Sequence, residues 1–271
     1  MKTKRISHIA ITVAAAAATV AIVSLPASSS AIAATPAPVL SETFESGMTG
    51  WTGWSGGVTS WFTTPDPLDT GNTVLSSSTT GRTEAIIKNI TTIQKSLDFS
   101  FDIYSGSAAT GWNFRGVLLT GVMSTSPGYG FYITAGGGVS IYRYDSGWST
   151  LNGGTPAPVE IGNSSAASVW KNDEWNTVSF RWLETGDFSL FVNGSIVATA
   201  SDATYKTKAA RLVFQKFTNN DESKEITGRI LLFDNVTVTT APIPEPATTA
   251  IVLPFFILLA IGVRQICRAC R

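Results

Sequence analysis

From Trp175 to Ala200 apolar and polar residues alternate with a period of two on both sides of Asn193-Gly194, and this run limits what the chain can fold into more than any other. Val178, Phe180 and Trp182 alternate with Thr177, Ser179 and Arg181, and Phe188, Leu190 and Val192 follow in the same rhythm. A period of two sends one set of side chains to each face of a strand. Asn-Gly between two such runs supplies the two positive φ angles of a tight hairpin turn, so Ser195 to Ala200 is expected to return antiparallel.

Similar runs rich in Val, Ile, Phe, Tyr and Thr recur at Glu84 to Ile90, Ser96 to Tyr104, Phe114 to Leu119, Gly130 to Thr134, Val139 to Tyr144, Ala209 to Phe214 and Gly228 to Thr239. Clusters of Gly, Ser, Asn and Pro separate them, and no stretch of this region sustains a 3.6-residue period. Neither a charged linker nor an internal repeat divides residues 34–240. About a dozen strands in one such region predict an all-β domain, a two-sheet antiparallel jelly-roll sandwich.

Both ends of the chain read as targeting segments outside that sandwich. Lys2, Lys4 and Arg5 precede an Ala/Val/Ile-rich run from Ile9 to Leu25, and Ala31-Ile32-Ala33 has the small-x-small pattern after which signal peptidase cuts. Residues 1–33 are therefore expected to be a cleaved signal peptide. At the other end the uncharged run 247–263 would form a helix roughly 26 Å long, near the lower limit for a single transmembrane helix. Pro254 removes one hydrogen bond from it, a defect membrane helices tolerate. A buried core helix would instead show a polar face, and Ile251 to Ile261 shows none. Arg264, Arg268 and Arg271 follow, and basic flanks stay cytoplasmic, so this tail sets the orientation. Cys267 and Cys270 lie among these arginines without a second ligand pair, so reduced thiols or an acylated cysteine suit them better than a metal site.

Pro244-Glu245-Pro246 stands directly before the apolar run. The order of acidic proline-rich motif (244–246), membrane span (247–263) and basic tail (264–271) closely resembles the C-terminal sorting signal of bacterial PEP-CTERM proteins. The resemblance covers residues 241–271 and implies recognition by an exosortase. With the signal peptide, it makes signal peptidase, exosortase and the membrane the expected partners. The expected route is export, anchoring in the cytoplasmic membrane by the C-terminal helix, and then display at the cell surface or in the extracellular matrix.

Removing the two ends changes the chemistry available. Thirteen of the nineteen basic residues and all nineteen acidic ones remain in residues 34–246, a net charge of −6. A mildly acidic surface without a basic run argues against nucleic acid as a partner. His8 is the only histidine and leaves with the signal peptide, while both cysteines are in the tail. Serine-histidine and cysteine-histidine catalysis, histidine-bound zinc and thiolate metal sites are thereby excluded from the ectodomain.

Several segments resemble concanavalin A-like jelly rolls of the laminin-G and carbohydrate-binding type: Glu42-Thr43-Phe44-Glu45-Ser46-Gly47 with Trp51, Trp175 to Phe180, Phe191-Val192-Asn193-Gly194, and Phe233-Asp234-Asn235-Val236-Thr237-Val238. The resemblance implies that the first and last strands pair. It also implies a structural calcium ion held by an acidic residue from each, which falls on Glu45 and Asp234. Calcium takes six to eight oxygens, so backbone carbonyls and Glu84 would have to complete the shell. Asn235 departs from the pattern, because related sequences often place a second Asp there. The fold also houses laminarinase-type glycosidases, so the alternative to a non-catalytic module is a glycan-processing enzyme, a glycoside hydrolase or lyase. Such an enzyme would show a Glu-x-Asp-x-x-Glu run with alternate carboxylates on one strand face, and none exists. Glu184-Thr185-Gly186-Asp187 reads as a turn, and Asp173 and Glu174 point apart.

All eight tryptophans lie in the ectodomain. Trp182 shares a strand face with Val178 and Phe180, and packing also accounts for Trp175, just before that strand. Trp51, Trp54, Trp61, Trp112 and Trp148 sit among Gly, Thr and Ser and are expected in exposed loops. Flat aromatic rings are what pyranose faces stack on. Tyr142 and Tyr144 share one strand face, with Trp148 just past the turn Asp145-Ser146-Gly147, which makes these three a candidate platform for an extracellular polysaccharide. The competing reading turns both tyrosines into the sandwich and lets Trp148 cover its end.

Overall fold

The computed structural model describes residues 38–53, 61–77, 84–93, 95–106, 112–122, 124–147, 157–218 and 231–240. Fifteen strands occur among them. These are β1 Pro38–Glu42, β2 Trp51–Gly53, β3 Trp61–Pro65, β4 Thr73–Ser77, β5 Glu84–Ile93, β6 Leu97–Ser105, β7 Trp112–Leu119 and β8 Gly128–Thr134. They continue as β9 Gly138–Tyr144, β10 Val159–Ser165, β11 Trp175–Trp182, β12 Asp187–Val192, β13 Ser195–Ser201, β14 Ala209–Thr218 and β15 Leu231–Thr240.

The strands form two antiparallel sheets, the sandwich that the alternation predicts. The first runs β13-β12-β11-β6-β15-β4-β3, with β1 also paired to β15, and the second runs β10-β9-β8-β7-β14-β5-β2. The hairpin read at Asn193-Gly194 is present, with φ of 51° and 78° at the two turn residues. β1 pairs with β15, Pro38 opposite Thr239 and Glu42 opposite Val236, as the family resemblance implies. On the same side of β15, β4 pairs with its earlier residues Leu232 and Phe233. Asn235, at φ 50°, forms a bulge where one neighbour gives way to the other.

Alternation fills the space between the sheets with aromatic rings. β6 reads buried at Leu97, Phe99, Phe101 and Ile103 and partly open at Asp98, Ser100, Asp102 and Tyr104. Phe101 stacks on Phe131 of the opposite sheet at 6.0 Å, and Phe114 lies 4.8 Å from Phe233. Gly116 makes room for these rings, because a Cβ there would meet Phe131 Cζ at 2.5 Å.

Three tryptophans expected in loops are core residues instead: Trp51, Trp61 and Trp112 are 4 %, 3 % and 1 % exposed. Each lies in a strand, β2, β3 and β7 in turn, and its indole belongs to the core between the sheets. Trp175 departs in the opposite sense. It lies half-buried on the outer face of the first sheet, 5.8 Å from Tyr104. Trp182 is fully buried as expected. β2, β3, β4 and β10 lie outside the runs that read as strands; β2 has only three residues, and β10 (Val-Glu-Ile-Gly-Asn-Ser-Ser) is polar along most of its length. Residues 1–37 and 241–271, with the expected signal peptide and sorting signal, lie outside the described residues, as do Trp54 and Trp148. Among the described residues no helix is long and apolar enough to cross a membrane.

Candidate functional site

The second sheet carries function-bearing side chains on the face turned away from the sandwich. On β8, Tyr129, Phe131 and Ile133 point inward, so Tyr132 points out; on β9, Val139 and Ile141 point inward, so Tyr142 and Tyr144 point out. The expectation that these two tyrosines share a face holds, and that face is not the interior of the sandwich. Register aligns Tyr142, Gly130, Val117, Val213 and Ile87 in one row across five strands. Gly130 has no room for a side chain, since a Cβ would lie 2.3 Å from the Gly116 carbonyl oxygen. With Ala85, Leu119 and Tyr144, the apolar members of the row form a second buried cluster, separate from the core.

Tyr142 stands at the rim of this cluster. Its ring is edge-on to Tyr132 at 6.4 Å and 88°, and 6.2 Å from Tyr144. Its hydroxyl donates to Glu160 Oε2 at 3.0 Å, and Asn163 Nδ2 donates to Glu160 Oε1 at 2.6 Å. The Arg115 guanidinium lies over the Tyr132 ring at 5.8 Å, and its Nη1 donates to Gln215 Oε1 at 3.3 Å. Tyr144 is fully buried and cannot offer a ring face to solvent. Among the described residues its hydroxyl and the Gln215 amide nitrogen are buried without a hydrogen-bond partner. A buried group left so costs about 1–3 kcal/mol. Trp148, the third residue of the expected platform, lies outside the described residues.

Neither titratable group at this rim has its pKa drawn toward neutrality. Burial, reinforced by the Glu160 carboxylate, pushes the Tyr142 hydroxyl above its usual range. Hydrogen bonds from Asn163 and Tyr142 hold Glu160 below the usual carboxylate range. Near neutral pH one stays protonated and the other ionised, whereas a general acid or base works best with its pKa close to the operating pH. Other carboxylates are held in structural contacts. Asp98 takes Arg181 through Nε at 2.7 Å and Nη2 at 3.0 Å. Arg143 bridges Asp145 and Asp202, both at 2.7 Å, which ties the end of β9 to the β13–β14 connection.

The two residues expected to hold calcium come to one corner, where burial, with smaller contributions from the Asp102 and Glu45 charges, raises the Asp234 pKa. Asp234 accepts from Asn72 Nδ2 at 3.0 Å and from the Asn235 backbone N–H at 2.7 Å, and Glu45 accepts from the Thr73 N–H at 3.0 Å. These N–H donors occupy some of the carboxylates' acceptor sites. Among the described residues no group of three acidic side chains could hold a metal ion. A calcium ion there would need backbone carbonyls beside Glu45 and Asp234 to reach the six to eight oxygens it takes.

Arg115, Tyr132, Glu160 and Gln215 were not singled out in the sequence. Alternation around Phe131 would have sent Tyr132 outward, but only the pairing of β7 with β8 and β14 brings Arg115 to it and to Gln215.

No family model matches the chain, and no curated protein matches it. Solved structures do. The globular domain of T. cruzi calreticulin superposes with a TM-score of 0.55 at 12 % identity, covering 76 % of this chain and 89 % of that one. The binding domain of botulinum neurotoxin serotype C1 gives 0.50 at 12 % identity over 76 % of this chain and 49 % of that one. The likeness is one of fold. Carbohydrate-binding module CBM66 from Bacillus subtilis, at 13 % identity over 71 % of this chain and 96 % of that one, has a TM-score of 0.46. This chain spans about half the length of the toxin chain.

Proposed function

We propose that the chain is an exported, non-catalytic interaction module that binds carbohydrate on the outer face of its second sheet and is sorted to the cell surface or extracellular matrix by its C-terminal signal. The observation that carries the binding reading is the ensemble at Tyr142: two edge-on tyrosine rings, an arginine over one of them, and a carboxylate and an amide at the rim. Rings of this kind offer apolar faces to the C–H faces of sugars, while Glu160, Asn163 and Arg115 suit hydroxyl groups.

The sorting reading rests on the sequence alone: Pro244-Glu245-Pro246, the apolar run 247–263 and the three arginines. It fits a protein that acts where it is placed and needs no reactive residue.

Binding is tested on a panel of neutral and anionic polysaccharides with the purified protein, its Tyr142→Ala variant and its Tyr132→Ala variant. Saturable binding to one glycan class that both substitutions weaken is expected. Silence across the panel, or binding that neither substitution changes, would overturn the assignment.

A further inference from the structure

A second aromatic row crosses the other sheet, on its own outer face. Register aligns Trp175, Tyr104, Leu232, Ser76 and Phe62 across β11, β6, β15, β4 and β3. Leu232 and Ser76 form a closed floor at 2 % and 3 % exposure, while Phe62 stands up at 49 %. Tyr104, Leu232, Ser76 and Phe62 of this row line an open groove together with Thr64, Pro65 and Pro67. At strand spacing, the distance from Phe62 to Tyr104 is about 14 Å, long enough for a short oligosaccharide.

The groove is held in shape by a long-range contact. Asp66, 4 % exposed between the two prolines, accepts the Leu68 N–H at 2.8 Å and the Trp175 indole N–H at 3.1 Å. The β3–β4 turn is thereby pinned across the sheet, and the orientation of the Trp175 ring behind Tyr104 is fixed. The hydroxyl of Tyr104 has no hydrogen-bond partner among the described residues, so it is available to a ligand.

We infer that this groove is a second binding site, for a neutral glycan chain lying across the strands with its sugar faces on Phe62 and Tyr104. Three observations select this occupant. Among the described residues no lining residue is charged, and the carboxylates that adjoin the row, Asp66 within the turn, Asp102 two residues before Tyr104 and Asp234 two after Leu232, repel a polyanion. Their contacts in the fold are neutral groups, Trp175 and Leu68 for Asp66, Thr177 and Asn235 for Asp102, and Asn72 and Asn235 for Asp234. The floor strands β4, β15 and β6 are paired on both sides, so an extended peptide laid there would find no main-chain ladder to join. Sugar rings need none, because they bring apolar C–H faces inward and keep hydroxyls in water. The site is independent of the Tyr142 ensemble. Two sites on opposite faces would let one molecule bridge two polysaccharide strands, with the gain in avidity that bivalency brings.

The test is calorimetry on the mature protein purified from cells, using cellohexaose, laminarihexaose, mannohexaose and, as the anionic comparison, polygalacturonate. Binding of at least one neutral oligosaccharide is expected. Phe62→Ala should weaken it tenfold or more, Tyr104→Phe several-fold, and Tyr142→Ala should leave this site's affinity unchanged. Phe62 is half exposed, so its loss should leave the melting temperature near that of the parent, a check on folding. The assignment is overturned if no neutral probe binds, if Phe62→Ala binds like the parent, if polygalacturonate binds as tightly, or if a proline-rich peptide competes for the groove. Loss through Tyr142→Ala with Phe62→Ala unaffected would leave the proposal for the second sheet standing and remove this one.

Discussion

Tyr142 Oη sits 3.0 Å from Glu160 Oε2, so a strand at the edge of the second sheet and its neighbour share one hydrogen bond at the rim of the apolar cluster. The bond fixes the edge-on ring without any contact to the core. Tyr142→Phe should therefore keep the fold and most ring stacking, lowering glycan affinity only several-fold. Tyr142→Ala should lose tenfold or more, about 1.4 kcal/mol. Titration calorimetry on the two variants separates stacking from hydrogen bonding.

The Arg143 bridge predicts an acid limb in stability. Burial alone would raise the Asp202 carboxyl, but hydrogen bonds from Thr204 and Arg143 outweigh it and hold the group at about 2. A carboxyl depressed by folding contributes stability above its unfolded value and loses it as the pH falls through the folded one. The contribution should thus fade between about pH 4 and 2, by about 1–2 kcal/mol after allowance for solvent screening. Asp202→Asn should be destabilised at pH 7 and show a flatter decline over that window in urea melts.

At Gly116 a missing side chain leaves room for a ring of the neighbouring strand and one of the opposite sheet. A Cβ there would meet Phe131 Cζ at 2.5 Å and Phe99 Cε1 at 3.0 Å. Gly116→Ala should cost about 1–3 kcal/mol by overpacking, read as a lowered midpoint of chemical unfolding. A neutral result would mean that the Phe99 and Phe131 rings can move apart freely.

Sorting is separable from folding. Glu245→Ala should leave export and the melting temperature of the ectodomain intact while stranding the protein in the cytoplasmic membrane fraction. Normal surface display or release of the variant would contradict the PEP-CTERM reading.

The sandwich was legible because its central strands obey alternation strictly: β6, β11 and β12 alternate in burial as the sequence alternates in polarity. Trp51, Trp61 and Trp112 were misread for a physical reason. Trp51 and Trp61 lie in strands of three and five residues, too short to show a period, and Trp112 is the first residue of its strand, where Gly and Thr before it suit a loop. Both aromatic rows were hidden for another reason. Tyr104 and Phe62 are 42 positions apart, and Tyr132 and Arg115 are 17 apart, and only strand order makes neighbours of them. Periodicity tells which face a side chain takes; it does not tell which strands lie side by side.

β15 is the last strand before the tail, and it is an interior one, flanked by β6 on one side and by β1 and β4 on the other. Any pull on the tail runs along this strand, so the ladders on both flanks are loaded in shear and must yield together, whereas an edge strand peels one bond at a time. The C-terminal end of the sandwich is thus fastened mechanically to the middle of the sheet, and load applied there is shared by two ladders at once.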